Sequence, residues 1–134
     1  MNPDEQFNIV SHSEGGAFAA GIAAYLSENA WGDTKGNTVG TVLYLSPDEA
    51  DEFEHTSSGK GIQVHNLRDP IAQYFPLKGI KRELQYDKGG LGEAHGGTVS
   101  TTVINDLQTL LNDVANSKDF QRIETSDGVI YRRK

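Results

Sequence analysis

Three residues of this chain have the types and order that nucleophilic acyl transfer needs: Ser13, Asp69 and His95. That chemistry uses a hydroxyl to attack, an imidazole to take and return its proton, and a carboxylate to orient the imidazole. Ser13 lies in Ser11-His12-Ser13-Glu14-Gly15-Gly16, after the apolar run Phe7 to Val10 and before an Ala/Gly-rich segment. A strand turning sharply into a helix holds such a hydroxyl out into solvent, and small neighbours let the strained turn close. Asp69 lies in Asn66-Leu67-Arg68-Asp69-Pro70-Ile71, and His95 in Gly92-Glu93-Ala94-His95-Gly96-Gly97. Each has a plainer reading. Asp-Pro starts ordinary turns, a histidine among glycines suits an exposed loop, and His12 beside the elbow is expected to pack rather than react.

The elements that must position these groups follow from hydrophobic pattern. Gln6 to Val10 reads as a short buried strand, and Gly15 to about Asn29 as a helix packing through Ala17, Phe18, Ala20, Gly21, Ala24 and Tyr25. Trp31 to Thr38 is a polar loop. Val39 to Ser46 is a β-branched, near-continuous apolar run, as in a strand covered on both faces. Ser46-Pro47-Asp48-Glu49 has the look of a helix cap, with proline at the first helical position and acids in the first turn, so a short helix is expected there. Ile62 to Leu67 and Ile80 to Tyr86 alternate like a third strand and a fourth, more exposed one. Ser100 to about Asn116 is an amphipathic helix through Val103, Ile104, Leu107, Leu110, Leu111 and Val114. Phe120 to Glu124 and Val129 to Arg133 flank an Asp127-Gly128 turn and read as a hairpin. The fold class expected is α/β, in three layers. A mainly parallel sheet of about four strands carries flanking helices, and the C-terminal hairpin is appended.

Each candidate residue then follows a strand, at the carboxyl edge where parallel sheets collect their functional loops. The chain order is Ser, Asp, His. With these residues in place, the chain resembles the α/β-hydrolases of the lipase and esterase kind. Ser11-His12-Ser13-Glu14-Gly15-Gly16 is similar to their nucleophile elbow, with Ser11 where glycine is usual. The strand ending in Ser46-Pro47, the strand ending at Asp69-Pro70 and a histidine before the last helix complete the likeness. It covers roughly residues 6 to 116 and only the C-terminal half of that fold. The resemblance implies Ser13 as nucleophile, His95 as general base and acid, Asp69 as orienting carboxylate and the Glu14 amide as one oxyanion-hole donor. It implies a small-molecule or lipid ester as substrate and no cofactor. The loop that supplies the second oxyanion amide has no counterpart, so a preceding domain or partner is expected to complete the site.

Composition excludes several other classes. The 134 residues suit one domain. The formal net charge of −7 offers no basic footprint for nucleic acid before the terminal Arg132-Arg133-Lys134. No run is long and apolar enough to span a membrane. The acidic start, Met1 to Glu5, is no signal peptide as it stands, which leaves localisation open. Without cysteine there is no disulfide or thiol chemistry. His12, His55, His65 and His95 match no zinc spacing, and Gly15-Gly16 lacks the spacing of a phosphate loop.

A second function class remains open, a non-catalytic interaction module derived from half a hydrolase fold. The elbow strand would then present a bare edge, which invites another chain. Residues 6 to 10 are expected to be covered by the C-terminal hairpin, by a second copy in a homo-oligomer, or by a preceding domain. The ending Asp127 to Arg132 looks similar to the C-terminal tips of large bacterial secreted or toxin-like proteins.

Overall fold

A computed structural model describes residues 5–29, 38–87, 91–97, 100–111 and 118–134. The loop expected at 31–37 and the helical residues expected at 112–116 lie outside the described residues. The elements run β1 (Phe7–His12), α1 (Gly15–Glu28), β2 (Val39–Leu45), β3 (Lys60–Asn66), β4 (Arg82–Tyr86), α2 (Leu91–Gly96), α3 (Thr101–Leu111), β5 (Phe120–Glu124) and β6 (Val129–Arg133).

All six strands form one sheet in the order β1-β2-β3-β4-β6-β5. Every neighbouring pair is parallel except β5–β6, so the fold is α/β with a mostly parallel sheet. The hairpin is part of that sheet rather than an appendage, which raises the strand count from about four to six. It also lies at the edge opposite β1, so it does not cover residues 6–10. Docking of β6 beside β4 makes β4 an interior strand, with Leu84 fully buried, and not the exposed one its charged alternation suggested.

The alternation of β2 divides the core in two. Val42 and Tyr44 face α1, in a cluster with Ala19, Ala20 and Ala23. Leu45 faces the other way, with Val64, Leu84 and Tyr131 against Val103 and Leu107 of α3. Helices on both faces give the three layers expected of parallel strands. Asp106 fastens α3 to the sheet, accepting hydrogen bonds from the Tyr86 hydroxyl and from Arg133.

Helix α1 meets the sheet through Gly16, Ala19, Ala20 and Ala23, and Phe18, Gly21 and Tyr25 point outward instead. Small side chains let the helix axis approach closely, and the aromatic rings have no room beneath it. A Cβ on Gly16 would stand 2.9 Å from the Phe53 ring and 3.3 Å from Pro47. The short helix expected after Ser46-Pro47 is a turn over residues 48–51. Ser46 (φ 42°) and Glu49 (φ 51°) both take left-handed backbone conformations, which no α-helix accommodates.

Candidate functional site

Ser13 closes the turn between β1 and α1 with φ 54°, a left-handed conformation uncommon for a residue with a Cβ. The turn is held from both sides. The Ser13 amide donates to the carbonyl of Leu45 (3.1 Å), and the Ser13 carbonyl accepts from the amides of Gly16 (3.1 Å) and Asp48 (3.3 Å). Such a conformation persists where its surroundings over-determine it, and that occurs preferentially at functional turns. The side chain is half-buried. Among the described residues no hydrogen bond uses the Glu14 amide, the group expected to donate to an oxyanion.

Asp69 uses both carboxylate oxygens. Oδ1 accepts from the amides of Ile71 (2.9 Å) and Ala72 (3.0 Å), which makes the turn that Asp-Pro predicts. Oδ2 accepts from Nδ1 of His95 at 2.7 Å. The turn-starting and functional roles therefore coexist in one side chain. Burial opposes its ionisation, but the hydrogen bonds from His95, Ile71 and Ala72 outweigh that, and the carboxyl titrates below its ordinary value. The Nδ1–H tautomer of His95 is the one that can donate to this carboxylate.

His95 sits on α2, where an exposed Gly-rich loop was the plainer expectation, and it is only partly exposed. Its ring lies 4.7 Å from the ring of His12, the residue directly before Ser13. The backbone is tied down as well. His12 Nε2 donates to the His95 carbonyl at 3.1 Å, and the Ser46 hydroxyl approaches the same oxygen at 3.5 Å. The structure thus draws the ends of β1, β2 and β3 and the helix α2 to one carboxyl edge, and brings the three candidate segments together there.

Two contributors escaped sequence reasoning. His12 does more than pack, because it ties down the backbone of the histidine that meets Asp69. Ser46 was expected to cap a helix, but its hydroxyl points at His95 instead. The only available signal was that each directly ends a strand neighbouring the elbow.

Behind the Asp69–His95 pair lies a buried polar layer between the sheet and the strap 67–81. His65 is 1% exposed and packs its ring 5.0 Å from that of Tyr74, and neither of its nitrogens has a hydrogen-bond partner. Burial pushes its pKa down to about 4; Asp69 acts to raise it and His95 to lower it. Glu83 accepts from the Tyr74 hydroxyl (3.1 Å) and from Gln85 (2.9 Å), and burial raises its pKa. Gln63 donates to the Phe75 carbonyl and accepts from the Leu77 amide, both at 2.9 Å, replacing a missing strand partner for the strap.

The four histidines do not converge. His55 is held apart by the Tyr44 hydroxyl and the Gly59 carbonyl. Among the described residues no three His, Asp or Glu side chains could hold a metal ion, and no helix is long and apolar enough to cross a membrane.

Set against known proteins, the chain matches no family model, no curated protein and no solved structure. Functional inference therefore rests on the site itself.

Proposed function

We propose that the chain carries the centre of a serine acyl hydrolase of the α/β-hydrolase type, acting on a small-molecule or lipid ester. The observation that supports it best is the 2.7 Å contact of His95 with a buried aspartate, on a ring that packs tilted against that of His12, next to the elbow. Ser13 Oγ attacks the ester carbonyl as His95 Nε2 takes its proton. The Glu14 amide stabilises the oxyanion, and the imidazolium returns the proton to the departing alkoxide. Water then repeats the sequence on the acyl-enzyme. Asp69 holds the tautomer throughout and stays ionised. Lack of a second oxyanion donor would leave such a site about 10²–10³ slower than a complete one, and a preceding domain or partner would supply it.

A fluorophosphonate probe tests this reading. Covalent labelling that disappears in Ser13→Ala supports it. A folded sample that does not label, or labelling that survives the substitution, overturns it.

A second reading, an interaction module, is favoured by the β1 edge. Among the described residues this strand pairs on one side only and exposes Val10 (62%), and Phe18 (76%) and Ile22 are exposed on α1. Glu14 is the sole Asp, Glu, Lys or Arg between Gln6 and Ser27, in a chain of net charge −7. A second copy or a preceding domain pairing with β1 would bury this neutral surface. Light scattering and amide exchange check it: a monomer with open exchange at 7–12 removes the homo-oligomer form of this reading.

A further inference from the structure

The described residues form a cleft of about 660 Å³ at the end of the sheet opposite Ser13. One wall is the end of the strap, Tyr74 to Lys81, and the other is the hairpin turn and the start of β6. Its volume falls within the usual range for small-molecule sites. It plays no part in the acyl-transfer reading.

The lining has two characters. Leu77, Ile80, Val129 and Ile130 supply an apolar surface, and Lys78, Lys81 and Arg82 bring three cations within five residues. That concentration stands out in a chain whose acids outnumber its bases 19 to 12. Two carboxyls also line the cleft. Asp127 belongs to the exposed turn, and Glu83 is buried and already engaged by Tyr74 and Gln85. Burial raises the pKa of Glu83, and the three cations outnumber the two carboxyls.

The walls are fixed before any ligand arrives. The Lys78 carbonyl accepts from the His55 amide and the Lys81 carbonyl from the Val129 amide, both at 2.9 Å. Gly79 takes φ 83° directly against the His55 carbonyl. The backbone bearing both lysines is therefore pinned at two points, and among the described residues neither ammonium has an ion-pair partner. A pinned backbone beside an apolar surface leaves less to order on binding than a flexible patch does.

We propose that this cleft is a second binding site, for an amphipathic organic anion: one carboxylate or phosphate monoester on an aliphatic body. The headgroup meets Lys78, Lys81 and Arg82, and the body lies along Leu77, Ile80 and Val129. The site does not depend on hydrolytic activity, so it is tested in the Ser13→Ala protein.

That protein is titrated calorimetrically with decanoate, decyl phosphate and decanol, and parallel titrations use a K78E/K81E version checked for folding by circular dichroism. Saturable one-to-one binding of at least one anion is expected, weakened about tenfold or more by the double substitution and by loss of the charge in decanol. The tighter of the two anions identifies the headgroup. Failure of both anions to saturate below about 1 mM, equal binding of decanol, or unchanged binding by K78E/K81E overturns the proposal. The last result would place the alkyl chain on the apolar β1–α1 edge instead.

Discussion

Nδ1 of His95 stands 2.7 Å from Oδ2 of Asp69, across 26 residues of sequence, and Oδ1 of the same carboxylate caps the turn that places it. One aspartate thus shapes its loop and orients the histidine. The two functions separate under substitution. Asp69→Asn retains Oδ1 as an acceptor for Ile71 and Ala72 but no longer favours the Nδ1–H tautomer. On the acyl-hydrolase reading, esterase turnover or probe labelling falls by about 10⁴ with the fold retained. Single-turnover kinetics beside a thermal melt check it, and Asp69→Ala is expected to lose the turn as well.

His12 supplies a subtler test. His12→Phe keeps a ring beside His95 and removes the donor to its carbonyl. A hydrogen bond of this kind is worth about 1 kcal/mol, so labelling by the fluorophosphonate slows by about fivefold to tenfold. A rate unchanged from the parent would show that the anchor is dispensable.

His65 predicts a particular acid sensitivity. Its pKa is lowered from 6.5 to about 4 in the fold, so the unfolded chain binds this proton more readily. Stability is therefore complete above about pH 6.5 and falls as pH drops towards 4, by up to about 1.4 kcal/mol per pH unit for one proton. His65→Leu removes that slope and changes stability at pH 7 by less than about 1.5 kcal/mol, because neither nitrogen has a hydrogen bond to lose. Asp69 titrates lower, and its own contribution is lost as pH falls through its depressed value, which separates the two windows. Denaturant melts at half-unit pH intervals resolve them.

Two glycines should respond in opposite directions to the same change. At Gly79 a Cβ would lie 2.1 Å from the His55 carbonyl oxygen, on a backbone with φ 83°. Gly79→Ala is expected to cost about 2–4 kcal/mol and to distort the cleft wall. At Gly21, inside α1, a Cβ would meet nothing within 4 Å. Gly21→Ala is expected to stabilise by about 0.5–1 kcal/mol. Chemical denaturation of both variants measures the contrast.

Much of the frame was legible because strand and helix periods are local properties. Val39–Leu45 and both hairpin strands lie where their patterns placed them, and the hairpin bounds agree residue for residue. What escaped was set by neighbours distant in sequence. Alternating Lys81, Glu83 and Gln85 suggested an exposed strand, because the strap that covers Glu83 and Gln85 is a separate segment. Ser46-Pro47-Asp48 carried every local mark of a helix start, yet the Ser46 hydroxyl points at His95, 49 residues on. The outward face of α1 was misjudged for the same reason: period identifies a stripe, and close approach to the sheet selects its smallest members. Chemistry and order single out Ser13, Asp69 and His95, and the structure joins two of them through the Asp69–His95 contact, whereas the hydrogen bond of His12 to the His95 carbonyl becomes visible only with β1 and α2 side by side.

The strand that leads into Ser13 is, like β5, hydrogen-bonded along a single edge among the described residues. A strand paired on one side opens more readily than an interior one, so the backbone that tensions the elbow belongs to a less protected part of the sheet. Anything that binds only the closed form of β1 then stabilises the elbow by mass action, by RT ln(1 + [L]/Kd). Occupancy of that edge and the geometry of Ser13 are consequently linked variables: a change in one, measured by concentration dependence, is read out in the other.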